Sequence, residues 1–323
     1  MVAFPGQLPR LRGRAISNSP VLSSSHLQLR SQELLRYSMS DNTKKLYDTA
    51  INAFNSFRRA YYQVEEWPPH PNQLVDFVAY LSYKQFSPNT VKSYISGISY
   101  FCKIRSLPDP TQGFVLKKVL VGLSRRNGRV DDRKPLSFEI LSSIIHLMPT
   151  ICKSTYESTL FSVIFSTAFF GYFRMGELVH NSLQDPGHAI QYGDVTYLAH
   201  NNTVHILLRH SKTDQEGKGS SISLTPTLLP ICPVRIVQSF MQARPTNPGA
   251  FFCHLSGRPV TRYQVASVFN LALKKLGLDN QSYKPHSFRI GAASAAWVSG
   301  TSAHDIASKG RWKSRCMYRY IRN

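Results

Sequence analysis

The segment from Thr155 to Gly171 constrains this chain more than any other. Its apolar residues, among them Leu160, Phe161, Ile164, Phe165 and Phe169, spread around the whole helical circle and leave no face for water. A helix of that kind has to lie inside a domain, with other elements packed around it. No apolar run in the chain reaches the roughly 18 to 20 residues of a membrane-spanning helix.

One core of ordinary size does not account for 323 residues. The chain offers a break at Ser124-Arg-Arg-Asn-Gly-Arg-Val-Asp-Asp-Arg-Lys-Pro-Leu-Ser, which is charged, poor in apolar residues, and reads as a linker. The expected division is a disordered basic arm over 1–34, a helical domain over 35–124, a linker over 125–136 and a second domain over 137–323. The arm holds Arg10, Arg12, Arg14 and Arg30 and no acid before Glu33. A mitochondrial presequence shares that composition, but Pro5, Pro9 and Pro20 interrupt any amphipathic helix, which favours an arm.

The first domain reads as a bundle of about four helices. Over Asn42 to Tyr62, Leu46, Ala50, Phe54, Phe57 and Tyr61 recur at helical spacing behind a Ser40 or Asp41 cap. A second helix is predicted from about Pro71 to Lys84, with Leu74, Phe77, Val78 and Leu81 on one face. The third opens with Ser87-Pro88 and turns Val91, Tyr94, Ile95, Ile98 and Cys102 inward; a shorter fourth covers about Gln112 to Ser124. The outer face of the third carries Asn89, Lys92, Ser93, Ser96 and Ser99. It is either an ordinary solvated face or one that enters a major groove, where small side chains permit close approach and Lys92 reaches phosphate.

The second domain is predicted to be helical around a small sheet. Val195 and Tyr197, then Val204, Ile206 and Leu208, alternate on either side of an Asn201-Asn202 turn, and Ile222-Ser-Leu supplies a third antiparallel strand. A helix over about Ser137 to Leu147 precedes the buried segment. Helices resume near Pro233 to Ala243, Thr261 to Leu276, Ser287 to Val298 and His304 to Gly310. The fold class is therefore mainly α with a small antiparallel sheet.

Lysine and arginine total 39 against 18 acidic residues, a formal charge of +21, so a polyanion is the expected partner. The basic residues are spread along the whole chain, which favours nucleic acid over a membrane surface. The 5 cysteines are far apart, show no metal-ligand spacing, and read as reduced thiols in an intracellular protein. With no P-loop and no GxGxxG turn either, chemistry without metal, ATP or other cofactor is expected.

Particular chemistry comes from local runs in the second domain. They are Gly171-Tyr-Phe-Arg-Met-Gly-Glu-Leu with Arg174 and Glu177, Arg209-His-Ser-Lys-Thr-Asp with Lys212, Pro285-His-Ser-Phe-Arg-Ile-Gly with His286 and Arg289, and Gly310-Arg-Trp-Lys-Ser with Trp312, followed by Tyr318-Arg-Tyr-Ile-Arg. Each alone is ordinary. In this order the set resembles the tyrosine recombinases, or phage integrase family, whose catalytic domain carries Arg, Lys, His-x-x-Arg, His or Trp, and Tyr. The resemblance covers about Ser40 to Asn323. His286-Ser-Phe-Arg-Ile-Gly-Ala-Ala and Tyr320-Ile-Arg-Asn are similar to runs in the Cre recombinase, and Ser211-Lys-Thr-Asp-Gln and Gly310-Arg-Trp-Lys-Ser look like the eukaryotic branch of DIRS-type and Crypton-type mobile elements.

The resemblance implies a core-binding domain upstream of a catalytic domain, double-stranded DNA as partner, a homotetramer on DNA and work in the nucleus. It also implies roles. Arg174 and Arg289 would clamp the non-bridging phosphate oxygens, since a planar guanidinium donates two parallel charge-assisted hydrogen bonds. Tyr320 would be the nucleophile; a tyrosine hydroxyl with an ordinary pKa of about 10 is mostly neutral in the cell, so its proton must leave as it attacks. His286 would accept or position that proton. Lys212 would protonate the departing 5′ oxygen, and Trp312 would donate its indole N–H to the phosphate without any part in proton transfer. Glu177 would orient the basic groups, or else be a solvated helix carboxylate.

In the linker, Arg125, Arg126 and Arg129 would follow a DNA backbone or simply be solvated. The spacing from Trp312 to Tyr320 is one residue shorter than in Cre, which leaves Tyr318 as an alternative nucleophile pointing to a different side. The rival reading is a domesticated DNA-binding protein with idle catalysis.

Overall fold

The computed structural model describes residues 23–128, 131–211, 214 and 217–322. It divides into two compact units, Met1–Val130 and Asp131–Asn323.

In the first unit, α1 (Ser24–Tyr37) precedes α2 (Asp41–Tyr62), α3 (Pro71–Tyr83), α4 (Pro88–Ile104) and α5 (Phe114–Asn127). Residues 24–34 are therefore helical, where an arm was expected. The reason is local: the last proline of the N-terminal region, Pro20, lies before Ser23, whose hydroxyl caps α1 by accepting from the His26 amide. No residue of α1 is buried. Ser40 caps α2 and Ser87 caps α4, with Pro88 in the first turn of the latter.

The core of this unit joins Ala50, Phe54, Phe57, Leu74, Phe77, Val91, Ile95 and Ile98, and Leu116 and Leu123 of α5 close it. Two residues expected inside lie outside. Leu46 and Tyr61, toward the two ends of α2, are exposed, while Arg58 joins the buried face beside Phe57. The Arg58 guanidinium is buried against Phe54 and Trp67 and donates to the carbonyls of Glu65 and Glu66. Tyr61 instead rests its ring on Phe57 and Tyr80.

In the second unit, α6 (Phe138–Ile151) leads into α7 (Thr155–Phe170), the segment with no polar face. Every residue from Leu160 to Phe169 is buried. The helix packs against α6, α9 (Pro233–Ala243), α11 (Ser287–Val298) and the single turn α8 (Met175–Leu178). Strands β1 (Val195–Leu198), β2 (Thr203–Leu208) and β3 (Ser220–Leu224) form one antiparallel sheet in sequence order, with Val195 opposite Ile206 and Ile206 opposite Ile222. Asn202 takes the left-handed conformation in the β1–β2 turn, which asparagine tolerates. Helices α10 (Arg262–Lys275) and α12 (Ala303–Lys309) complete the unit, and the chain ends in a short 3-10 turn, Arg315–Arg319.

The expected linker of 125–136 contracts. Arg125 and Arg126 belong to the last turn of α5. From Asp131 the chain is tied into the second unit: the Lys134 amide donates to the Ser282 carbonyl and the Leu136 amide to the Ser287 carbonyl, with Leu136 fully buried. An apolar-poor sequence does not exclude backbone pairing of this kind.

Candidate active site

Helix α7 ends at Phe170, and the next residues turn sharply through Tyr172, whose φ of 53° lies in the left-handed region. That turn delivers Arg174 to the N-cap of α8, three residues ahead of Glu177. Arg174 donates through its backbone N–H to Glu177 Oε2 at 2.9 Å and through Nη1 to Oε1 at 2.7 Å. Glu177 is buried, so it is not the solvated carboxylate that its exposed alternative required.

Helix α11 places His286 and Arg289 on its first turn. Arg289 has no solvent exposure and donates to the carbonyls of Tyr172 and Gly310. Burial foremost, then the nearby Arg174 and Arg311, lowers its proton affinity. A guanidinium has five N–H donors. Its Nε finds no acceptor among the described residues.

The close approach of α11 depends on Gly291. A Cβ there would stand 1.9 Å from the Leu136 carbonyl oxygen, which is backbone and cannot step aside. Gly310 has a similar role at the other side, where a Cβ would stand 1.8 Å from the Trp312 ring. The indole therefore packs directly against Gly310, with Arg289 Cζ 4.4 Å from its ring centre. The Trp312 Nε1 is buried and has no acceptor among the described residues.

Tyr320 follows the final 3-10 turn. Its ring centre is 4.8 Å from that of Trp312 and 5.2 Å from that of His286, and Arg289 Cζ is 5.6 Å from it. The backbone on both sides of it is held by Ser294 of α11, which donates to the Tyr320 carbonyl at 3.2 Å and accepts from the Arg322 amide at 2.9 Å. Arg322 then reaches Asp131, with Nη2 to Oδ2 at 2.5 Å. Tyr318 lies elsewhere: it is 52% exposed and its ring stands edge-on to Trp297.

Arg174, Glu177, His286, Arg289, Trp312 and Tyr320 are thus brought to one locality by direct contacts or shared partners. Lys212 lies outside the described residues, as does Arg129. Lys92 is exposed on α4, and Arg125 and Arg126 are exposed on α5, all in the first unit. Along the polar face around Lys92, Ser93 and Ser96 donate back to the carbonyls of Asn89 and Lys92, and Ser99 donates to Asp109.

Two basic residues of the site were not singled out from sequence. Arg311 lies within a run already noted for its tryptophan, and it donates to Glu177 Oε2 at 3.1 Å. Arg133 lies in the stretch read as linker; it pairs with Asp131 at 2.7 Å and its charge helps to depress His286. The His286 pKa is pushed down to about 4, by burial first and then by Arg133, Arg289 and Arg174. Its imidazole is neutral at cellular pH and free to accept a proton. Guanidinium and indole donors are thus gathered beside a phenol and a neutral imidazole, a set of groups that suits an anion with tetrahedral oxygens.

Solved structures with this architecture exist. The XerH site-specific recombinase bound to palindromic difH substrate, in a post-cleavage complex, is 15% identical, has a TM-score of 0.63, and matches over 85% of this chain and 75% of its own. The fold is that of the tyrosine recombinases. The Tn1549 transposon integrase in complex with circular intermediate DNA superimposes with a TM-score of 0.62 at 13% identity, over 92% of this chain and 94% of its own. A lambda integrase tetramer bound to a Holliday junction gives a TM-score of 0.61 at 14% identity, over 92% and 76%. No protein-family model and no curated protein matches the sequence. At these identities the tyrosine-recombinase likeness is one of fold, and the residues carry the argument about chemistry.

Proposed function

We propose that this chain is a site-specific DNA recombinase or integrase that cuts and rejoins DNA through a 3′-phosphotyrosine intermediate. The observation that carries the reading is the convergence of Tyr320, Arg289, Trp312 and His286, with the Tyr320 and Trp312 ring centres 4.8 Å apart. The tyrosine-recombinase fold and the DNA-bound state of the solved structures that share it support double-stranded DNA as the partner. The lambda integrase tetramer supports a homotetramer on DNA. The first unit would be the core-binding domain, with Lys92, Arg125, Arg126 and Arg129 on phosphates, and the second the catalytic domain.

In the proposed reaction the phosphodiester lies between Arg174 and Arg289, and the Trp312 N–H donates to a non-bridging oxygen. The Tyr320 oxygen attacks phosphorus as its proton passes to His286. The bond to the 5′ oxygen breaks, and Lys212 supplies the proton that turns this oxygen into a hydroxyl. The ester energy is kept in the phosphotyrosine link, so a second 5′ hydroxyl reverses the step and joins a new partner. Origin in a eukaryotic mobile element, and with it work in the nucleus, rests on the Ser211-Lys-Thr-Asp-Gln and Gly310-Arg-Trp-Lys-Ser runs.

The test begins with duplexes selected for binding from a random-sequence pool. A selected duplex nicked near the cleavage point should trap a covalent protein–DNA adduct with the unsubstituted chain. Tyr320→Phe should abolish the adduct and Tyr318→Phe should keep it. Binding without adduct would favour the DNA-binding protein with idle catalysis, and loss with Tyr318→Phe alone would move the nucleophile.

A further inference from the structure

Arg311 has no step in the proposed chemistry, yet its guanidinium is among the most firmly held charges in the second unit. Its side chain is 10% exposed. From Nη2 it donates to Glu177 Oε2 and to the Tyr172 carbonyl, both at 3.1 Å, and from Nη1 to the Gly171 carbonyl at 3.1 Å and to the Lys309 carbonyl at 3.2 Å. The Phe173 ring lies against its Cζ at 4.9 Å. Apart from Lys309, these partners belong to the turn that follows α7 or, in the case of Glu177, to α8.

The partners matter more than the bonds. Glu177 is the carboxylate that holds Arg174, through the Arg174 backbone N–H and Nη1. The Tyr172 carbonyl is an acceptor for Arg289 Nη1. Among the described residues Arg311 is the side chain that bonds to both anchors: it shares Glu177 with Arg174 and Tyr172 with Arg289. The backbone at the two contact points is also unusual. Tyr172 has φ 53° and Arg311 has φ 56°, a conformation that residues with side chains keep only where their surroundings hold them.

We infer that Arg311 is a positioning residue that sets the separation and orientation of the Arg174 and Arg289 guanidiniums. Its form fits the task. A planar fork spans several oxygens in one fixed arrangement, whereas a lysine ammonium is a single point of charge on a flexible stem. A charge needed only to neutralise Glu177 would be met by lysine, and the fan of carbonyl contacts would be incidental. The inference rests on the recombinase reading.

The experiment compares single-turnover adduct formation on two versions of the nicked, pool-selected duplex. One carries the natural phosphodiester at the cleavage point; the other carries a methylphosphonate, in which a neutral methyl replaces one charged oxygen. Arg311→Gln should slow adduct formation on the phosphodiester by ~10²-fold, the scale of a misplaced reacting group, with DNA affinity nearly unchanged. On the methylphosphonate the gap between variant and parent should largely close, because little charge remains to be clamped. Arg311→Lys should restore little of the phosphodiester rate.

Equal slowing on both substrates would mean that Arg311 only supports the fold, and overturns the inference. So does an Arg311→Gln or Arg311→Lys chain that cuts the phosphodiester at the parent rate. If Arg311→Gln does not fold, Arg311→Lys carries the same two-substrate comparison. Failure of the unsubstituted chain to form any adduct sinks the recombinase reading itself, and is distinguishable from these results.

Discussion

The Arg289 guanidinium lies 4.4 Å from the centre of the Trp312 ring, and the Trp312 Nε1 is buried with no acceptor among the described residues. The indole is thus both a platform for a cation and a donor held ready. These roles separate under substitution. Trp312→Phe keeps the platform and loses the donor; it should slow adduct formation roughly 10- to 100-fold, the range for one hydrogen bond to a charged group. Trp312→Ala loses both and should fall further, with the unit destabilised by about 3 to 5 kcal/mol. Parent-like rates for Trp312→Phe would take the indole N–H off the phosphate.

The glycines beside the site make a prediction about packing. In Gly310→Ala the new methyl would stand 1.8 Å from the Trp312 ring, so the indole must leave its seat against Arg289. Adduct formation should fall about as far as in Trp312→Ala, while the fold survives because a side chain is able to move. In Gly291→Ala the obstacle is the Leu136 carbonyl at 1.9 Å. The loss there should appear in stability, about 3 kcal/mol, read from chemical denaturation. A Gly291→Ala chain as stable as its parent would contradict the close seating of α11 on the Leu136 backbone.

The backbone at Tyr320, the proposed nucleophile, is held by few bonds, and that arrangement can be tested. Ser294 bonds to the backbone at both Tyr320 and Arg322, and Arg322 bonds to Asp131. Ser294→Ala removes both hydroxyl contacts and should cost only about 1 kcal/mol of stability. Its effect on rate should be larger than its effect on stability, because attack requires the phenol in line with phosphorus. Asp131→Asn, which weakens the outer tether, should slow the reaction less. Measured side by side, a rate loss in Ser294→Ala no greater than its stability loss would leave the hydroxyl as ordinary packing.

What sequence could and could not reveal follows from the range of the interactions. The α7 segment declared its burial because hydrophobicity on every face is a property of adjacent residues. The caps at Ser40 and Ser87 and the turn at Asn202 are equally local, and so were legible. The order of Arg174, His286, Arg289, Trp312 and Tyr320 marked a site through family resemblance, which stands in for long-range information.

Arg311 and Arg133 were missed because their partners are distant in the chain or lie in a stretch that composition marks as linker. Arg311 meets Gly171 and Tyr172 across 140 and 139 positions. No periodicity encodes such a pairing. Helix α1 has the opposite reason: Pro5, Pro9 and Pro20 lie in the same region, but the stretch from Val21 to Leu34 is free of proline.

His286 gives the pH prediction. Burial, with Arg133, Arg289 and Arg174 nearby, pushes its pKa down to about 4, against an ordinary imidazole value of 6.5. The unfolded chain therefore takes up a proton near pH 6.5 and the folded chain only near pH 4. Between those values the unfolded state holds more protons, so stability falls as pH drops through the window. Above it neither state is protonated, and this contribution is constant. Thermal unfolding of parent and His286→Asn should diverge in slope below about pH 6.5, with the variant losing less on acidification. Parallel slopes would mean that His286 titrates like a free imidazole. Adduct formation follows the same group: if His286 takes the Tyr320 proton, its acid limb should lie well below 6.5, near the folded value, because the imidazole stays neutral until then.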